Sequence, residues 1–165
     1  MSKFEIPVFI LTAVVLIFIQ ITLVPIISVN RYIPDLLLIM VVFLSLRKGQ
    51  FFGTVSGGVI GLIYDLASGN LLGSGMFAKT LSGFTAGYFY NETTSSTVLR
   101  SYRFLLIVIL AALINSSVYH IVAGYEISYG FVSLLLSSII PDTIYTGFMA
   151  LPVIFYLNFR GESIG

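Results

Sequence analysis

The chain has 165 residues, 58% of them hydrophobic and only 9% charged, with a mean hydropathy of +1.04. A soluble domain is about 45–50% apolar and about 25% charged, so this composition excludes a soluble enzyme, a nucleic-acid-binding domain and a disordered tail, and requires an integral membrane protein. The formal net charge is +1, which points to no acidic partner, and the absence of cysteine excludes disulfides, a thiolate nucleophile and zinc–cysteine sites. A single histidine leaves no basis for a histidine metal cluster, so neither a metal nor another cofactor is expected. At about 20 residues per crossing, six helices take about 120 residues. Short loops fill the remainder, and residues 1–165 read as one transmembrane domain.

The first apolar run, residues 6–27, is interrupted only by Thr12, Gln20 and Thr22. It is too long for the core of a signal peptide and no small-x-small cleavage site follows, so it is expected as an uncleaved first span ending near Pro25. Pro34-Asp35 opens the second run, 34–46, which stops at Arg47-Lys48. Proline suits the first helical turn and aspartate the positive end of a helix dipole. This span is short, which calls for little tilt or a thin bilayer. The third and fourth spans, 51–67 and 75–90, flank the turn-forming stretch Leu66–Gly75. A polar segment at 91–97 precedes the fifth span, 102–123. Pro141-Asp142 divides the last apolar stretch into an interfacial or re-entrant segment, 129–140, and a sixth span, 141–158; a single long kinked helix is the other reading.

With six spans, both termini share a face with the loops after spans two and four. That face carries Lys3, Arg47, Lys48, Arg100, Arg103 and Arg160, against Arg31 on the other. Positive charge marks the cytoplasmic side, so both termini are expected there.

Glycine recurs at every fourth position in Gly49, Gly53, Gly57 and Gly61, with Asp65 continuing the spacing, and Gly75, Lys79, Gly83 and Gly87 repeat it in the fourth span. Overlapping small-xxx-small patterns give a smooth face along which another backbone approaches closely. That face either packs spans within the chain or docks another membrane protein or a second copy of this one. Asp65 and Lys79 flank one short loop, and an unpaired intramembrane charge costs roughly 2.5–3.5 kcal/mol on insertion scales. Their opposite sign suggests that they pair; the other reading has Lys79 reaching the headgroups. The polar cluster Asn115-Ser-Ser-Val-Tyr119-His120 ends the fifth span. It lacks a Gly-x-Ser-x-Gly elbow and reads as an interfacial anchor, with Glu126 solvated beyond it. The glycines lack the Lys-Ser/Thr ending of a phosphate loop, and no pair of catalytic groups shares a sensible spacing, so no enzymatic activity is expected.

Pro34-Asp35-Leu-Leu-Leu-Ile39, the basic turn, and the glycine-rich span ending Gly61-Leu-Ile-Tyr-Asp65-Leu-Ala-Ser-Gly69-Asn-Leu-Leu-Gly73 together resemble the bacterial rod shape-determining protein MreD family. The resemblance covers the whole chain in length and span count, and its specific part lies at about residues 34–87. It implies a compact bundle of about six helices, similar to the S component of energy-coupling factor vitamin transporters, and a non-enzymatic scaffold or regulator of cell elongation in the inner membrane. It further implies an MreC-like bitopic partner and, indirectly, an MreB-like actin homologue and peptidoglycan synthases. Pro34, Asp35, Gly53, Gly57, Gly61, Asp65, Gly69, Gly73, Lys79, Gly83 and Gly87 are then the candidate packing or partner-binding residues. The rival is a vitamin-binding S component itself. Such proteins dock through an Ala-x-x-x-Ala patch in the first helix, whereas here Ala13 is followed by Ile17.

Overall fold

The computed structural model describes residues 5–28, 32–123 and 135–162, and regular structure among them is helical. In chain order the helices are α1 (Glu5–Thr22), α2 (Leu36–Lys48), α3 (Gln50–Ser68), α4 (Ser74–Gly87), α5 (Ser95–Leu99), α6 (Tyr102–Val122) and α7 (Ile140–Glu162). A 3₁₀ turn, Val24–Ile27, follows α1 around Pro25. Residues 129–134 of the segment expected to be interfacial lie outside the described residues; Leu135–Ile139 form one π-helical turn that runs directly into α7.

Three stretches are long and apolar enough to cross a membrane: Gln50–Ser68, Tyr102–Val122 and Leu135–Phe159. Pro7–Thr22 is a shorter apolar helix. The 13 residues of α2 span only about 20 Å at 1.5 Å per residue. This helix is central rather than peripheral. Nine of its residues are buried, and two apolar clusters sandwich it. On one side Leu38, Ile39, Val42 and Leu46 meet Phe104, Ile107, Val108 and Ala111 of α6 and Ala150 of α7. On the other, Leu37, Met40, Val41 and Leu44 meet Ile17 of α1 and Ile60 of α3. A helix wrapped by protein has no need to match the hydrocarbon thickness, and its near-continuous apolar sequence follows from burial on all sides.

Local signals set the helix ends. The Asp35 side chain accepts a bond from the Leu38 N–H at 2.9 Å and so caps α2. Gly49 alone joins α2 to α3, at φ +96°, a conformation that favours glycine. Within the helices, hydroxyls return their hydrogen to the carbonyl one turn back, as Thr54 does to Gln50, Thr80 to Met76 and Thr143 to Ile139. In an apolar surround this satisfies a donor that has no water to turn to.

Candidate functional site

The glycine ladders of α3 and α4 face each other. Gly53, Gly57, Gly61, Gly75, Gly83 and Gly87 are all buried. A methyl group at Gly57 would overlap the Lys79 carbonyl; at Gly61 it would lie 2.5 Å from the Gly75 carbonyl oxygen. At Gly83 it would overlap the Gly53 carbonyl, and at Gly87 the Gln50 backbone. The two helices therefore touch backbone to backbone, and the smooth faces are used inside the chain. On α4 the buried positions recur as pairs, Ser74-Gly75, Ala78-Lys79, Ser82-Gly83 and Ala86-Gly87, a stripe of small residues broken by one lysine.

This packing places the charges differently from the expected Asp65–Lys79 pair. Gly75 lies level with Gly61 and Lys79 level with Gly57, eight residues below Asp65 and so about 12 Å along the axis. Asp65 instead stays beside the start of α4. Its carboxylate accepts the backbone N–H groups of Gly73 at 3.0 Å, and of Gly75 and Met76 at 3.1 Å. Gly73 offers no capping side chain, so Asp65 supplies the cap from the neighbouring helix and places its negative charge at the positive end of α4. Gly69 (φ +70°) and Gly73 (φ +98°) form the turn that allows this.

Lys79 pairs with Asp35. Its Nζ lies 2.5 Å from Asp35 Oδ2, with the two side chains 3% and 17% exposed, and 5.4 Å from the centre of the Tyr64 ring. The same Asp35 oxygen accepts a bond from Asn115 Nδ2 of α6 at 3.2 Å, while the Asp35 N–H donates to Thr146 Oγ1 of α7 at 3.1 Å. Gln20 of α1 completes the junction, with Nε2 donating to the Pro34 carbonyl at 2.9 Å and Oε1 accepting from the Leu36 N–H at 3.0 Å. Asp35 thus ties α2, α4, α6 and α7 together and caps α2 at the same time.

Above this junction opens a cavity of about 460 Å³, at the end of the bundle opposite Arg47 and Lys48. Gln20, Asp35, Tyr64, Asn70 and Lys79 line it together with Asn115, Ser116, Tyr119, His120, Asp142 and Thr146. His120 Nε2 lies 3.3 Å from Asp142 Oδ2. The polar end of α6, expected to be an interfacial anchor, is therefore turned inward on this cavity. Of the candidate residues, Asp35 and Lys79 reach the site; Gly57, Gly61, Gly83, Gly87 and Asp65 hold the α3–α4 pair that positions Lys79, while Gly53 lies against Ser45 of α2. Gln20, Asn115, His120, Asp142 and Thr146 were not singled out together. The available signal was the recurrence of Pro-Asp at 34–35 and 141–142, each at the start of an apolar run. Among the described residues no group of three or more His, Asp or Glu side chains gathers as metal ligands.

No curated protein and no solved structure matches this chain. The family model for the rod shape-determining protein MreD matches residues 2–160, nearly the full length and including both ends of the polar junction. The chain belongs to the MreD family of rod shape-determining membrane proteins.

Proposed function

We propose that this protein is a non-enzymatic scaffold of the bacterial cell-elongation complex. It crosses the cytoplasmic membrane six times with both termini inside, and acts with an MreC-like bitopic protein to direct lateral peptidoglycan synthesis. The observation that carries this reading is the family match over residues 2–160. The described connections are short, which leaves little surface outside the bilayer for a soluble partner. Contacts with a single-span partner are then helix to helix. The glycine faces are consumed by the α3–α4 pair, so these contacts fall on exposed apolar flanks such as Leu11, Val15 and Phe18 of α1. Gly53, Gly57, Gly61, Gly83 and Gly87 serve the partner indirectly, by keeping the bundle in one arrangement.

The polar cavity favours a second reading, a substrate-binding S component of an energy-coupling factor transporter. Affinity purification of the tagged protein from mild-detergent membranes, followed by mass spectrometry, separates the two. Recovery of an MreC-like single-span protein with wall synthases is the expected result. Recovery of a transmembrane coupling subunit with paired ATPases would overturn the scaffold.

A further inference from the structure

The cavity concentrates polarity that the rest of the chain avoids. Only 9% of the sequence is charged, yet two carboxylates, Asp35 and Asp142, and two basic groups, Lys79 and His120, line one space. Burying charge in a membrane bundle is costly, and such groups tend to mark sites of function. Two of the groups here also hold hydrogen-bonding capacity in reserve. The Lys79 ammonium has three donors and, among the described residues, gives one to Asp35. Asn115 is 7% exposed. Its NH₂ is oriented by the Asp35 carboxylate, and its Oδ1, buried in the cavity wall, has no donor among the described residues. A buried acceptor left open beside a buried ion pair marks an arrangement that is complete only with something more in it.

We propose that this cavity binds an uncharged, hydroxyl-rich group of the size of a sugar ring. Charge selects the class. An anion entering the cavity meets Asp35 and Asp142, and a cation meets Lys79, whereas each carboxylate already has a basic neighbour. A neutral polyol meets no repulsion. Each of its hydroxyls both donates and accepts, which suits a wall that mixes Lys79, Asn70, Ser116 and Asp142 with the rings of Tyr64 and Tyr119. A volume of about 460 Å³ lies within the usual range of small-molecule sites. The group comes either as a free sugar or as the headgroup of a glycolipid in the surrounding bilayer. The inference does not rest on the scaffold reading.

The test uses the full-length protein in phospholipid nanodiscs, with binding followed by native mass spectrometry and calorimetry. Glucose and glucosyl-diacylglycerol are the probes, and inorganic phosphate and ethanolamine the charged comparisons. Saturable one-to-one binding of either sugar probe is expected: glucose alone identifies a free ligand, and the glycolipid alone a lipid headgroup. Lys79→Met should abolish binding. Asn70→Ala and Ser116→Leu, which leave the ion pair intact, should weaken it about two- to tenfold by removing a polar contact or filling the space. Three results would each overturn the proposal: neither sugar probe saturates, phosphate or ethanolamine binds in their place, or sugar binding survives unchanged in Asn70→Ala and Ser116→Leu. Recovery of protein partners is a separate readout, so loss of the scaffold reading leaves this result intact, and the converse holds.

Discussion

An ammonium with 3% of its side chain exposed needs a counter-charge close by, and Lys79 has it in Asp35, 44 residues away in the chain. Removing one member of such a pair leaves a buried charge uncompensated, at a cost of about 3–5 kcal/mol. Asp35→Ala should therefore be strongly destabilising in thermal unfolding in detergent, the more so because it also uncaps α2. Combining Asp35→Asn with Lys79→Met should recover a good part of the loss, since both charges then leave together. Asp65 behaves independently. Its carboxylate serves the N–H groups of Gly73, Gly75 and Met76, and Asp65→Ala should cost about 1–2 kcal/mol as a lost cap. In a double-mutant cycle Asp65→Ala and Lys79→Met should add within about 0.5 kcal/mol. A larger coupling would show that the two charges interact after all. Both were legible in the sequence as intramembrane charges. Their partners were not, because opposite sign and a short intervening loop say nothing about axial level, and level is set by how the two glycine faces interlock.

At the level of elements, the α3–α4 pair shows how a sequence pattern becomes a structural joint. Gly57 touches the backbone of Lys79 and Thr80, whereas Gly58, on the adjacent face, would bring a methyl group only to 3.0 Å from Thr80 Oγ1. Gly57→Leu should force the helices apart and cost about 1–3 kcal/mol or more, as overpacking does, while Gly58→Ala should be much milder. Unfolding midpoints of the two variants check this, and equal values would argue against the close backbone contact. The consequence reaches the polar junction, because the Lys79 carbonyl lies against Gly57 and displacing it shifts the ammonium away from Asp35. The four-residue spacing was visible in the sequence; which helix it faced was not, since a smooth face accepts a partner from within the chain or from outside. The shortness of α2 was equally visible, but the reason for it was not. The helix can be short because protein, rather than lipid, encloses it on both sides.

Across the described residues, exposed apolar flanks surround a small polar interior. The chain has no cysteine, so single cysteines report sidedness without background. Lys48→Cys and Asn70→Cys sit at opposite ends of α3. On the proposed topology, with both termini in the cytoplasm, a membrane-impermeant maleimide added to intact spheroplasts should label the cysteine at 70 and leave that at 48 unlabelled; the reverse pattern would invert the topology. Composition and the run of apolar segments determined by themselves that this is a helical membrane protein. The Pro-Asp opening and glycine-rich span pointed to the family that the match over residues 2–160 establishes. These properties are local: each depends on the hydropathy and spacing of neighbouring residues. What only the tertiary structure decided is the junction at Asp35 and the cavity above it. Their members, Gln20, Asp35, Lys79, Asn115 and Thr146, come from five different helices or helix starts. No sequence period links positions that far apart, and they meet only because backbone contact between α3 and α4 and the enclosure of α2 bring them to one level.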